Sequence, residues 1–87
     1  MLTVTLYSHA NPDLDQTQPP SPTVTVTGAT IDHVVTACAD YIGQYDLGGG
    51  NWPEPIIYRD GQPVARISYN GRLWHPTTEK AMSPNDL

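Results

Sequence analysis

Apolar and polar positions alternate strictly at the start of the chain, with Leu2, Val4 and Leu6 on one side and Thr3, Thr5 and Tyr7 on the other. Residues 23–27 repeat the pattern as Thr-Val-Thr-Val-Thr. A period of two with β-branched residues marks strands buried on one face. From residue 31 the period lengthens. Ile31, Val34, Val35, Cys38, Ile42 and Tyr45 form the core stripe of an amphipathic helix, with Asp32, His33, Thr36 and Asp40 mostly on the other side. Thr30 is placed to cap this helix, Asp32 meets the positive end of its dipole, and Gly48-Gly49-Gly50 ends it.

The second half holds two dipeptides favoured in two-residue hairpin turns, Asp60-Gly61 and Asn70-Gly71, bracketing runs of strand length. They predict a three-stranded meander. With each dipeptide at the centre of its turn, Ile56, Tyr58, Ala65, Ile67, Tyr69 and Trp74 share the core face. Ile57, Arg59, Val64, Arg66, Ser68, Leu73 and His75 then share the solvated face. Pro63 lacks a backbone donor and points to an edge position. Trp52-Pro53-Glu54-Pro55 is a stiff connector.

Residues 9–22 carry four prolines and two aspartates and read as a surface loop, of a length that is usually functional or disordered. Residues 76–87 read as a polar C-terminal tail that frays. The order ββαβββ assembles as an antiparallel β-sheet with one helix packed on one face, a single two-layer α+β domain over residues 1–87.

Composition narrows the class. A chain of 87 residues has one modest core and buries about 60–65% of its unfolded surface. Charged residues, at 15%, are too sparse for a disordered acidic tail, and five Tyr with two Trp argue for a packed interior. The single cysteine, Cys38, excludes an internal disulfide. The N-terminus lacks a basic region followed by an apolar run, and no apolar run approaches membrane-spanning length. A cytoplasmic protein without membrane contact is the expectation.

Charge is segregated. All four basic residues, Arg59, Arg66, Arg72 and Lys80, lie after position 58. Before it stand Asp13, Asp15, Asp32, Asp40, Asp46 and Glu54 without one cation. The net charge of −5 argues against direct binding of nucleic acid.

Recognised chemistry is sparse. Cys38 with His9, His33 or His75 could form a thiol nucleophile and base, but a cysteine on the helix stripe reads as a small hydrophobe. Three scattered histidines show no metal-ligand spacing, and Asp13 with Asp15 lacks the glycine turn of a calcium loop. The glycine run follows a helix rather than opening one, unlike a phosphate cradle. Arg59 and Arg66 with nearby aromatics evoke a single-stranded nucleic-acid platform, yet the predicted register sets the aromatics on the opposite face. The expectation is therefore no enzyme, no cofactor and no metal. Trp52 either caps the core or stands exposed as an interface anchor.

In size, acidity and element order over residues 2–75, the chain resembles small phage or mobile-element proteins of the anti-CRISPR type. That resemblance rests on topology and charge, and it carries over no individual residue. It implies a protein-binding inhibitor acting in the host cytosol as a monomer or small homo-oligomer. Its acidic surface would block a basic surface of a nucleic-acid-binding effector complex, a form of DNA mimicry. The carboxylates Asp13, Asp15, Asp32, Asp40, Asp46 and Glu54, with Trp52, are the candidate contacts. The alternative is a phage structural or accessory protein that oligomerises or docks through a sheet edge.

Overall fold

A computed structural model describes residues 1–87. The first strand, β1 (Leu2–Leu6), buries Leu2, Val4 and Leu6 on one face, as its alternation requires. It pairs with β2 (Val24–Gly28), and after two residues the chain enters the helix α1 (Ile31–Gln44). Thr30 caps α1, its Oγ1 accepting from the His33 amide at 3.2 Å. Val34, Cys38 and Tyr41 form the buried side of α1, with Ile31, Val35, Ile42 and Tyr45 partly buried beside them. Four further strands follow: β3 (Ile56–Arg59), β4 (Gln62–Ile67), β5 (Leu73–Trp74) and β6 (Ala81–Met82). The sheet order is β2-β1-β3-β4-β5-β6, every pair antiparallel, with α1 against one face. This is the predicted two-layer α+β domain, with one strand more than expected.

The meander keeps the predicted Asp60-Gly61 turn, lengthens the second and changes its register. Asp60 and Gly61 have φ of 50° and 82°, the two left-handed residues of a type I′ turn, and Arg59 pairs with Gln62 as predicted. Beyond Pro63 the ladder slips, so that Ile57 faces Ala65 and Val64 is the extra residue of a bulge. At the second hairpin Ser68 and Arg72 still bond, the Ser68 amide donating to the Arg72 carbonyl at 2.9 Å. The loop is therefore three residues long, with Gly71 at φ 83°. Each change moves the pairing by one, and each exchanges faces. Ile57 and Leu73 join Ala65 and Ile67 in the core, while Ile56, Tyr58 and Trp74 move to the outer face with Arg66. Arg59, paired with Leu2, stands on the helix side, and Tyr69 leaves the sheet to donate its hydroxyl to the Leu47 carbonyl at 2.9 Å.

The predicted fraying tail is instead fastened. Arg66 donates to Glu54 at 2.7 Å, to the Thr78 carbonyl at 3.1 Å and to Glu79 at 3.0 Å. This holds the segment leading to β6, which pairs with β5. Ser83 and Asp86 then cap a terminal 3-10 turn reciprocally.

The loop 9–22 is likewise tied down. Asn51, 1% exposed, donates through Nδ2 to the His9 carbonyl at 2.8 Å and to Gln16 Oε1 at 2.7 Å. Its Oδ1 accepts from the Gly48 amide at 2.9 Å, and its backbone carbonyl accepts from the His9 amide at 2.8 Å. Gly50 lets the loop approach closely, since a Cβ there would stand 2.5 Å from Asn11 Nδ2 and the Asn11 side chain would have to shift. Farther along, the hydroxyls of Ser8, Ser21 and Tyr41 form a chain of 2.6 and 2.7 Å that ends on the Pro22 carbonyl.

Asn51→Ala should lower stability by about 3 kcal/mol, because it strips partners from several part-buried polar groups at once. Urea unfolding checks this, with an equal midpoint in the variant counting against the role given to Asn51.

Candidate functional site

Five of the candidate carboxylates are exposed and unpaired. Asp13 lies in a 3-10 turn (Pro12–Leu14), its amide held by Asn11 Oδ1 at 3.1 Å. Asp15 follows with φ 57°, its amide bonded to the Pro12 carbonyl at 3.0 Å. Asp32 stands in the first turn of α1 and Asp40 near its last. Asp46, at φ 52°, leaves the helix. The ion pairs of the molecule join Arg66 to Glu54 and to Glu79, and none reaches these five residues.

The fold brings four of them toward one end. Asn11 lies against Gly50, and Gln16 bonds Asn51, so the turn bearing Asp13 and Asp15 docks on the segment just after Asp46. The C-terminal end of α1 points the same way, and its last turn has no basic residue to meet the negative end of the helix dipole. Asp40 lies one turn back. Asp32 stands apart, about 12 Å farther along the helix axis.

Two predicted contacts leave the site. Glu54 is held at φ 53° and paired with Arg66 at 2.7 Å, an arginine it shares with Glu79 at 3.0 Å. Trp52 is 6% exposed and donates its indole N–H to the Ile67 carbonyl at 3.0 Å, so it seals the core and offers nothing to a partner.

The corrected register places Arg66 with Trp74 and Tyr58 on the outer face, where the sequence separated them. The Arg66 guanidinium lies 5.7 Å from the Trp74 ring centroid, in an open groove of about 490 Å³. Two carboxylates and a carbonyl take up three of its five N–H donors and offset its charge, so it is a poor anchor for a phosphate. Arg59 faces the other side of the sheet.

Cys38 is 2% exposed, and burial pushes its thiol up to about 12. The histidines are engaged elsewhere: His9 packs edge-on against Tyr7, His33 lies against Gly28, and His75 Nδ1 accepts from the Thr77 amide. No three His, Cys, Asp or Glu side chains converge as metal ligands, and no helix is long and apolar enough to cross a membrane.

Asn51, Gln16, Ser8, Ser21 and the hydroxyl of Tyr41, which hold the acidic loop in place, carry no sequence signal that separates them from ordinary loop and helix polar groups. Comparison with protein-family models, with curated proteins and with solved structures finds no match.

Native Cys38 should react with a thiol reagent far more slowly than in denaturant. Its raised value also sets a pH window. Above pH 9 the unfolded thiol ionises while the folded one stays protonated, so stability falls as pH rises from 9.0 toward about 12. Chemical unfolding at pH 8 and pH 10 should show a loss of about 1 kcal/mol that Cys38→Ala lacks. An identical loss in both proteins would contradict the assignment.

Proposed function

We propose that this chain is a protein-binding inhibitor whose acidic end occupies a basic, nucleic-acid-binding surface of an effector complex, in the manner of anti-CRISPR proteins. The observation that carries the reading is the set of exposed carboxylates, Asp13, Asp15, Asp40 and Asp46, gathered with no ion pair to any of them around the negative pole of α1. RNA-guided complexes expose arginines and lysines for the PAM and the DNA backbone. Carboxylates on a pinned loop and a helix end compete for those cations by charge-assisted hydrogen bonds, and their one-signed field speeds encounter. The site of action is the host cytosol, where such complexes work.

The test is displacement of target duplex from a purified RNA-guided effector complex, followed by gel shift, together with association kinetics at increasing salt. Inhibition should weaken at least about tenfold in Asp13→Lys/Asp15→Lys and in Asp46→Lys. Because Asn51 pins the loop, the loop pair should count as much as the helix end, and Asp32→Lys should count less. Added salt should slow association more than it speeds dissociation. Inhibition unchanged by these reversals, or a DNA duplex bound by the isolated protein at physiological salt, would refute the reading.

A further inference from the structure

The two edges of the sheet differ. The β6 edge is two residues long and runs at once into the terminal 3-10 turn, a shortness that blunts an edge. The β2 edge is five residues of Val, Thr and Gly, Val24-Thr25-Val26-Thr27-Gly28, paired only with β1. No charged residue stands between Asp15 and Asp32 in a chain of net charge −5. A strand without lysine, internal proline or inward charge is open to pairing with another strand.

The helix beside this edge has a matching flank. His33, Ala37, Asp40 and Gln44 recur at spacings that place them on one stripe of α1. His33 lies against Gly28, so this stripe faces the β2 side. Val35, Ala39 and Ile42 lie on the opposite flank, along an open groove with Ile67 and Gly71.

We infer that β2 and this flank of α1 form a self-association surface, on which a second copy of the chain docks about a two-fold axis to continue the sheet. The geometry is self-consistent. The helix runs back along β2, from Gly28 beside His33 to Pro22 beneath the Tyr41 hydroxyl. Val26 lies about 7 Å from Gly28 along the strand, which corresponds to four or five residues of helix and brings it level with Ala37. A two-fold axis through Val26 therefore also passes by Ala37. It pairs Thr25 with the partner's Thr27, a favourable cross-strand match.

The same axis sets the two helices antiparallel. Because α1 packs on β1 and β2 alike, its axis sits about half a strand spacing inside β2. The two helix axes then lie about 10 Å apart, the distance at which helices pack across small residues such as Ala37. His33 meets the partner's Asp40, and Asp40 meets the partner's His33. The contact is isologous and closes. It needs none of Asp13, Asp15 or Asp46 and shares only Asp40 with the inhibitor reading, which it does not require.

Sedimentation equilibrium of the full chain should show a reversible species of twice the chain mass. Thr25→Lys/Thr27→Lys sets like charges opposite each other on an exposed face, and should weaken association at least about tenfold with an unchanged circular dichroism spectrum. His33→Asp should also weaken it, by opposing Asp40, and His33→Asp/Asp40→Lys should restore it. That rescue is a result that general destabilisation does not produce. A strictly monomeric wild-type protein at millimolar concentration overturns the inference. So does a dimer indifferent to the lysine pair, or one that the charge swap fails to restore.

Discussion

The fold hangs on one buried amide. Loop 9–22 joins the two strands of a hairpin, and closing so long a connection carries an entropic cost that grows with its length. Asn51 offsets it by placing both amide hydrogens and its carbonyl oxygen on backbone and side-chain partners from the loop and the helix exit. The segment bearing Asp13 and Asp15 thereby stands against the chain that follows α1. Trp52, next along the backbone, enters the core and bonds the Ile67 carbonyl. One short stretch therefore couples the loop, the end of α1 and β4.

Arg66 plays the corresponding part on the outer face. Its planar fork reaches Glu54 on the connector and Glu79 on the last hairpin, and a lysine's single ammonium could not span both with the Thr78 carbonyl as well. The charge consequence is as important as the structural one. Arg66 removes Glu54 from the free acidic set and itself from the free basic set. Asp13, Asp15, Asp40 and Asp46 remain without an ion pair, around the C-terminus of α1.

The regular elements were legible because burial writes a period into them: alternation for β1 and β2, the 3.6-residue stripe and Thr30 for α1. The meander was legible in its turns and not in its faces. A bulge at Val64, placed by a proline that cannot bond, and a three-residue loop where two were expected each moved the pairing by one residue. Those shifts exchanged Ile56 for Ile57 and Trp74 for Leu73. Strand β6 is too short to carry a period, and the fastening of the tail comes from Arg66, twelve or more residues away. Exposure of the aspartates followed from their chemistry. Which of them lacks a partner did not, because Glu54 is paired across the fold and Asn51 looks like any loop asparagine.

One helix on six strands leaves α1 with two unlike flanks, and the charge pattern respects them. The Val35–Ile42 side opens on an apolar groove. The His33–Gln44 side borders an edge strand from which charge has been kept away. Repulsion within a chain of net charge −5 opposes any self-pairing except along an uncharged line, and β2 is that line. Pairing there runs the two helices in opposite directions, so their acidic ends point away from each other and like charges stay apart. Such a dimer would present two acidic poles on a rigid continuous sheet. On an effector that exposes more than one basic surface within reach, the second pole would then bind at a raised effective concentration with no new contact required.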